Sequence, residues 1–304
     1  MSASGLSVGR AILSWLVYPL LTGGGVYAAW RLLSAGVPLA VSVVVVTAAA
    51  TGAVIVLERL VPYSRDWQRI LPDLPTDAGH LILGNTAAEI FRLLMVGPFL
   101  ALSTYLAGVA GSPLWPAHLP MIVQLFLALI LAEFGGYWGH RLMHERPLLF
   151  RMHAVHHSAE RIYFMTGARN HAIEVVFLAA LALFPLLVLG AGEVVIGLVA
   201  GFSGIHYMLQ HANIDIRLGP FKYIINGPEM HRYHHSRKLV EANANYAGVL
   251  LLWDWVFGTI FRPPSGKTPP IDVGLTDMPA FPQGLWGQLA SPFRRSLWSG
   301  RRNG

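Results

Sequence analysis

Three short histidine clusters dominate the chemistry that this sequence can offer. The chain holds 13 histidines in 304 residues. Most of them fall in His140-Arg-Leu-Met-His144, His153-Ala-Val-His156-His157 and His231-Arg-Tyr-His234-His235. An α-helix advances by about 100° per residue, so histidines spaced i, i+4 or i, i+3, i+4 project from one face. Each cluster therefore predicts two or three imidazoles directed at a common point.

Neutral imidazole is a ligand for iron, zinc, copper or nickel. The alternative is that these histidines lie at an interface or satisfy buried polar positions, which suits an isolated histidine better than three repeated clusters. The chain has no cysteine, which excludes thiolate sites, iron–sulfur clusters and disulfides. We therefore predict a centre of two metal ions whose ligands include His140, His144, His153, His156, His157, His231, His234 and His235.

The remaining histidines receive different interpretations. We predict that His211 is a ninth ligand, because it lies where the last apolar segment returns to the side of the clusters. His206 is five residues earlier, about 140° around a regular helix, so it joins only if the helix is distorted. For His171, ligation and a supporting or substrate-gating role both remain open. His80 and His118 are lone residues near helix starts and are interpreted as structural.

Three carboxylates are candidates to support the metal ligands. A metal-bound imidazole usually donates its other N–H to a carboxylate or carbonyl group. Glu133 precedes His140 by seven residues, two helical turns along the same face, and is costly in a membrane helix without such a role. Glu174 and Asp254 are the next candidates. For each of them the alternative is a helix-end acid paired with a nearby arginine.

The composition indicates that membrane helices position these groups. The chain is 54% hydrophobic and 12% charged with a mean hydropathy of +0.50, against roughly 25% charged residues in soluble domains. The first two apolar segments carry no charge, can each cross a hydrocarbon core of about 30 Å, and form a hairpin that turns near Arg31. Residues 58–80 read as an interfacial loop. The predicted helices cover 11–30, 32–57, 81–109, 120 to beyond 138, 175–192 and 194–208.

The predicted fold is all-α: a multi-span transmembrane helical bundle with a cytoplasmic, histidine-rich helical cap. We expect one integral membrane domain over residues 1–304, in which the first apolar run is a retained helix rather than a cleaved signal. Lys and Arg concentrate in 58–80, 140–172 and 211–304, which predicts that these segments and the clusters face the cytoplasm. The net charge of +6 is then explained by contact with anionic lipid, not by nucleic-acid binding.

The spacing and flanks of the clusters resemble the sterol desaturase/fatty acid hydroxylase family, with its HxxxH, HxxHH and HxxHH boxes. The resemblance covers roughly residues 120–262, which we interpret as the catalytic region, followed by a proline-rich tail over 263–304. The flanking segments that also agree are Glu133-Phe-Gly-Gly-Tyr-Trp-Gly-His-Arg141, His211-Ala-Asn-Ile-Asp215, Gly227-Pro-Glu-Met-His-Arg-Tyr-His-His-Ser236 and Leu252-Trp-Asp-Trp-Val-Phe-Gly-Thr259.

The resemblance implies a cytoplasmic histidine cage around two non-haem irons. It also implies that dioxygen is a co-substrate and that the enzyme hydroxylates or desaturates a sterol, fatty acyl chain, alkylglycerol or carotenoid. The family's ligands carry over to the eight clustered histidines and to His211. Two positions depart from the pattern: Glu133 stands where relatives often have aspartate, and Ala172 stands where they have proline.

Two partners follow from this interpretation. A lipid-like substrate reaches the centre from the bilayer, and a separate protein donates electrons, because no haem-binding or flavin segment is evident in the chain. The alternative function is a histidine-rich metal transporter or metal-binding membrane protein without oxygenase activity. Transport sites normally lie near the bilayer midplane on broken helices, whereas these clusters lie beyond the helix ends. A bis-histidine haem carrier would place single histidines within facing spans.

Overall fold

The computed structural model describes residues 8–69, 73–276 and 278–299, so residues 277 and 300–304 of the predicted tail lie outside it. Eleven α-helices and several short 3-10 turns form the described part of the chain. The helices are α1 (Val8–Ser34), α2 (Leu39–Leu60), α3 (Leu74–Ala110), α4 (Met121–Glu145), α5 (Pro147–His157), α6 (Ala172–Leu189), α7 (Glu193–Gln210), α8 (Pro228–His234), α9 (Leu239–Ala242), α10 (Leu252–Phe257) and α11 (Leu285–Ala290).

Helices α1, α2, α3, α4, α6 and α7 are long and apolar enough to cross a membrane, which confirms the predicted multi-span helical bundle. Two predicted boundaries were wrong. Helix α1 continues through Arg31 to Ser34, so the hairpin turns over residues 35–38. Helix α3 begins at Leu74, within the predicted interfacial loop. The first turns of α3 carry polar side chains, and these are buried against other segments of the chain. For example, His80 Nε2 lies 2.8 Å from Gln288 Oε1.

The spanning helices pack in two groups, which are joined by the contact between α4 and α7. Helices α1, α2 and α7 surround an apolar core that includes Val17, Val54 and Leu209. Helix α6 packs between α3 and α4, and it does so closely because glycines lie at the contacts. A Cβ atom at Gly84 of α3 would lie 3.1 Å from Val175 of α6. The bundle therefore places the end of α4, the start of α6 and the end of α7 beside one another.

Gly135 lies at a tight contact between α4 and α6, whereas its neighbour Gly136 does not, so the two glycines form a matched pair for testing the helix packing. A Cβ atom at Gly135 would lie 2.1 Å from the Leu181 carbonyl oxygen, whereas one at Gly136 would meet nothing within 4 Å. Gly135→Ala should therefore destabilise the protein by about 1–3 kcal/mol, the usual cost of overpacking. Gly136→Ala should be neutral or stabilising, because alanine is the better helix former by about 1 kcal/mol. Thermal unfolding in detergent measures both, and equal melting temperatures would contradict this packing.

One end of the bundle carries the remaining helices and all three histidine clusters. The chain returns to this end after α2, α4 and α7, and the returning segments are tied together. The Arg217 backbone N–H donates to the Ser14 carbonyl oxygen (2.9 Å) near the start of α1. Glu58, near the end of α2, accepts hydrogen bonds from the backbone N–H groups of Phe164 and Asn213 (2.8 Å each). Helices α5, α8, α9, α10 and α11 form a cap on this end.

Candidate metal centre

The nine histidines predicted as ligands gather in two groups. Within each group, one nitrogen of every ring lies within 4.8 Å of the corresponding nitrogens of the other rings. Imidazole nitrogens bind zinc at about 2.0–2.1 Å, so donors on opposite sides of one ion would stand about 4 Å apart. The spacing therefore suits one ion per group. The five-histidine group is His140, His144, His153, His157 and His234, and the four-histidine group is His156, His211, His231 and His235.

Each HxxHH cluster is divided between the two groups. On a helix, residues i and i+4 lie about 40° apart, whereas consecutive residues lie about 100° apart. In α5, His153 and His157 accordingly join the five-histidine group, and His156 joins the other. At α8 the pattern is reversed, since His231 and His235 join the four-histidine group. The two groups therefore adjoin, and the rings of His157 and His235 stack with centroids 4.6 Å apart.

The Nε2 atoms face inward in both groups. In the five-histidine group, His153 Nε2 lies 2.9 Å from His140 Nε2 and 3.0 Å from His157 Nε2. In the four-histidine group, His211 Nε2 lies 3.2 Å from His156 Nε2 and 2.8 Å from His231 Nε2. One type of ring nitrogen thus supplies the interior of both groups, while the Nδ1 atoms are directed outward.

Oxygen atoms around the five-histidine group hold the outward nitrogens. His140 Nδ1 lies 2.7 Å from the Tyr246 carbonyl oxygen, and His234 Nδ1 lies 2.8 Å from that of Ala244. The remaining Nδ1 contacts join His144 to Asn243 Oδ1 (3.2 Å) and His153 to Glu174 Oε1 (2.6 Å). Carbonyl and carboxylate oxygens only accept, so these Nδ1 atoms carry the protons and the Nε2 lone pairs stay free.

Two of the four rings in the second group are held in the same way. His156 Nδ1 lies 3.3 Å from the Arg169 carbonyl oxygen, and His211 Nδ1 lies 2.8 Å from the Tyr207 carbonyl oxygen. The Nδ1 atoms of His231 and His235 are buried without a hydrogen-bond partner. The orientation of this group therefore depends on fewer hydrogen bonds than that of the five-histidine group.

The donor arrangement fits bound cations. With the proton on Nδ1, the Nε2 lone pairs of His140 and His153 face each other across 2.9 Å, which is repulsive unless a cation lies between them. The Nε2 atoms of His144 and His234 are buried with no hydrogen-bond partner. Buried polar atoms without partners are rare in native proteins because they cost free energy. Metal ions would satisfy all of these atoms together.

Burial keeps the imidazoles neutral. Desolvation, reinforced by neighbouring histidines, holds the pKa values of the rings in α5 and at α8 well below the usual value, and burial lowers the pKa of His211 to about 4. A neutral ring keeps the lone pair that a metal needs. The α5 and α8 rings that share this lowered pKa are His153, His156, His157, His231, His234 and His235.

These pKa values predict acid sensitivity of the metal-free protein. The folded-state pKa values lie below the unfolded value of about 6.5, so the unfolded chain binds more protons as the pH falls. The stability that depends on neutral rings is therefore complete above pH ~6.5 and decreases below it. Buried carboxyl groups oppose this trend, and Asp254, whose pKa burial raises to about 6, is one of them. They are fewer than the buried imidazoles, so the imidazoles determine the direction of the change. Melting temperatures should fall from pH ~7.5 to pH ~5.5, and a constant melting temperature would contradict this electrostatic account.

The three predicted carboxylates occupy different places. Glu174 holds His153, as the expected pairing with an imidazole requires. Glu133 and Asp254 contact no imidazole and instead accept backbone N–H groups of the segment 246–250. Glu133 Oε2 accepts from Val249 (2.6 Å), and Asp254 accepts from Tyr246 (2.9 Å) and Ala247 (2.8 Å). The expected partner was wrong for both residues, because the segment that carries the Tyr246 carbonyl lies between them and the rings.

The other histidines lie outside both groups. His171 Nδ1 accepts the Ile173 backbone N–H (3.2 Å) and so caps the start of α6. His206 Nδ1 lies 2.6 Å from the Tyr18 hydroxyl oxygen, which agrees with its predicted direction away from His211. His80 is buried and bonded to Gln288, and His118 is exposed, so the structural interpretation fits both.

Sequence reasoning missed several groups that orient the rings. Four of them are backbone carbonyl oxygens, at Arg169, Tyr207, Ala244 and Tyr246. A carbonyl group is present in every residue, so no residue type signals its role. Asn243 is different, because its side chain contacts His144. An amide-rich stretch shortly after the third cluster was the only available signal for it.

Comparison with known proteins agrees with this geometry. The family model for fatty acid hydroxylases matches residues 125–259, a range that contains all nine clustered histidines. The ornithine lipid hydroxylase OlsE of Rhizobium tropici is 38% identical over 252 residues, which cover 81% of this chain and 74% of that protein. No solved structure matches the chain.

Two further relatives are similar over shorter regions. The alkylglycerol monooxygenase of Homo sapiens is 33% identical over 138 residues, 44% of this chain and 30% of that protein. The methylsterol monooxygenase 2-2 of Arabidopsis thaliana is 27% identical over 154 residues, 50% of this chain and 58% of that protein. The histidine spacing, the membrane-spanning helices and the long alignment with OlsE lead to one conclusion: this chain belongs to the fatty acid hydroxylase family.

Proposed function

We propose that this chain is a non-haem di-iron monooxygenase that hydroxylates a membrane lipid. The observation that carries the proposal is the gathering of nine imidazole nitrogens into adjoining groups of five and four at one end of a spanning bundle. Its relatives include hydroxylases and monooxygenases named for lipids, which supports an oxygen-dependent reaction on a lipid.

The donor set supports iron over zinc. Zinc in structural sites is almost always tetrahedral with four ligands, whereas one group here offers five imidazoles. Imidazole is also a suitable ligand for iron, although ligand type alone does not select a first-row metal. When bound, an iron pair supplies the activation of dioxygen and the oxidising power needed for an unactivated C–H bond.

The residues of the chain prepare the site for this chemistry. Glu174 and the Tyr246 and Ala244 carbonyl groups hold protons at Nδ1, so the Nε2 atoms of the rings that they contact remain free to bind. Burial of the rings excludes bulk water, which limits wasteful side reactions of an activated oxidant. Because the two groups adjoin, their histidines would hold two ions at neighbouring positions.

We propose an ornithine lipid, or a closely similar amino-acid lipid, as the substrate. The similarity to OlsE extends over 252 residues, far beyond the segment matched by the family model. The similarity to the human alkylglycerol monooxygenase covers 138 residues. Spanning helices outside the histidine region thus share features with a protein named for ornithine lipid, and a lipid that enters from the bilayer contacts such helices first.

We also propose that the cap faces the cytoplasm and that a separate protein donates the electrons. Lys and Arg concentrate in the segments joined to the cap, including 140–172 and 211–299, whereas Arg31 lies at the other end of the bundle. Positively charged loops remain in the cytoplasm during insertion. Cytoplasmic reductants would then have direct access to the end of the protein that carries the histidines.

The test is expression in a bacterium that makes ornithine lipid but lacks its hydroxylases. We expect a lipid one oxygen atom heavier by mass spectrometry, with that atom derived from isotopically labelled dioxygen. The purified protein should carry two irons per chain. An unchanged lipid extract from cells that contain iron-loaded protein would reject the proposed substrate. A metal content of one ion per chain, or a haem spectrum, would reject the two-iron centre.

A further inference from the structure

Helix α3 contributes no histidine to either group, yet its N-terminal end carries a buried network of charges that faces the cap. Asp77 is completely buried, and Arg169, in the loop between α5 and α6, is 2% exposed. The Arg169 Nε–H group donates to Asp77 Oδ1. Two buried charges tolerate such a place only as a well-bonded pair, and removing one partner leaves the other charge uncompensated.

A second bond fixes the same carboxylate. The Tyr163 hydroxyl donates to Asp77 Oδ2, and burial together with this carboxylate raises the pKa of Tyr163, so the hydroxyl stays protonated as a donor. Asp73, just before α3, accepts two hydrogen bonds from Arg161 (2.8 and 2.7 Å). Both arginines of the loop are thus attached to the start of α3.

The backbone of Arg169 connects this network to a metal ligand. Its carbonyl oxygen lies 3.3 Å from His156 Nδ1, so the side chain and the carbonyl group of one residue join Asp77 to His156. The connection matters because His231 and His235, in the same group, have no partner at Nδ1. Only His156 and His211 are held by carbonyl groups there.

We infer that Asp77 is a positioning residue for the four-histidine group, acting through Arg169 on the orientation and tautomer of His156. Asp77 lies outside the segment 125–259 matched by the family model, and it touches no ligand itself. The inference rests on the proposed metal centre. If the inference holds, helix α3, which carries no ligand, also helps to determine whether the second ion binds.

The test uses the full chain in detergent, loaded anaerobically with ferrous iron. Asp77→Asn should weaken iron binding at the four-histidine group by about 10- to 100-fold, the usual effect of changing a group behind a ligand, and should leave the five-histidine group occupied. Iron content should then fall towards one per chain. Mössbauer spectra should lose one of the two iron signals and retain the other. Asp77→Glu keeps the carboxylate and should recover part of the lost signal.

Arg161→Lys is the matched control. Arg161 belongs to the same loop and also binds the start of α3, but its carbonyl oxygen accepts from Thr166 rather than from a histidine. This variant should retain both irons. If Asp77→Asn fails to fold, the double variant Asp77→Asn/Arg169→Gln leaves no unpaired buried charge and should show the same selective loss.

Three results would overturn the inference. The first is a folded Asp77 variant with both irons and the wild-type spectrum. The second is equal loss of both iron signals in the Asp77 and Arg161 variants, which would indicate a general effect of the loop on folding. The third is a wild-type protein that binds no iron, which would reject the proposed metal centre and this inference with it. Selective loss of one iron in a folded variant distinguishes the inference from that failure.

Discussion

Replacement of His156 with alanine is expected to abolish lipid hydroxylation and to remove one of two irons. The imidazole Nε2 lies 3.2 Å from that of His211, inside the four-histidine group. Changing groups that merely support ligands costs about 10- to 100-fold in metal affinity or activity, so loss of a ligand should exceed that range. Product formation is measured by mass spectrometry of lipid extracts, and iron by elemental analysis of the purified protein.

His118→Ala is the control for this experiment, because His118 is exposed at the opposite end of the bundle from the clusters. It should retain both activity and iron. His234→Ala should abolish activity as well, but by emptying the five-histidine group. Turnover at the wild-type rate in a folded His156 variant would remove this residue from the ligand set.

Replacement of Glu174 with alanine is expected to have the second largest effect. The carboxylate lies 2.6 Å from His153 Nδ1 at a site where both residues are almost completely buried. Without it, the proton at Nδ1 has no acceptor, and the ring is free to rotate or to change tautomer. Iron affinity or activity should therefore fall by about 10- to 100-fold, which iron titration and lipid analysis can measure separately.

Glu193→Ala is the appropriate comparison, because Glu193 also lies in the first turn of a spanning helix but is exposed. It should retain wild-type iron affinity. Glu174→Gln, which keeps an oxygen acceptor, should lie between the alanine variant and the wild type. Equal iron affinity in Glu174→Ala and wild type would show that His153 does not need this carboxylate.

Helical spacing was sufficient to predict which histidines gather. The i, i+4 relation placed His140 with His144, and the position of His211 after the last span placed it with the other eight, as the grouping of the rings shows. Its role as a ligand stays a prediction. Spacing within one helix places the first and last histidines of each HxxHH cluster together, but it could not predict how the clusters divide between the two groups. That division depends on how α5 and α8 face each other, which is a property of the packed cap and not of either helix.

The polar residues of the helices were the main source of error. Asp77 and His80 suggested a loop because charged and polar side chains are rare in spanning helices, yet both are buried against partners distant in sequence. Glu133 lies on the predicted face of α4, but it binds the backbone of Val249 and Leu250. The loop that Glu133 binds also carries the Tyr246 carbonyl group that contacts His140, and the sequence pattern does not reveal the path of this loop.

The place of His234 in the five-histidine group has a consequence for the order in which this group is assembled during translation. The other four members lie between residues 140 and 157, so the ribosome completes them on the order of ten seconds before His234 emerges. Four of the five ring positions therefore exist on the growing chain well before the fifth, and the group is complete only when α8 joins the cap.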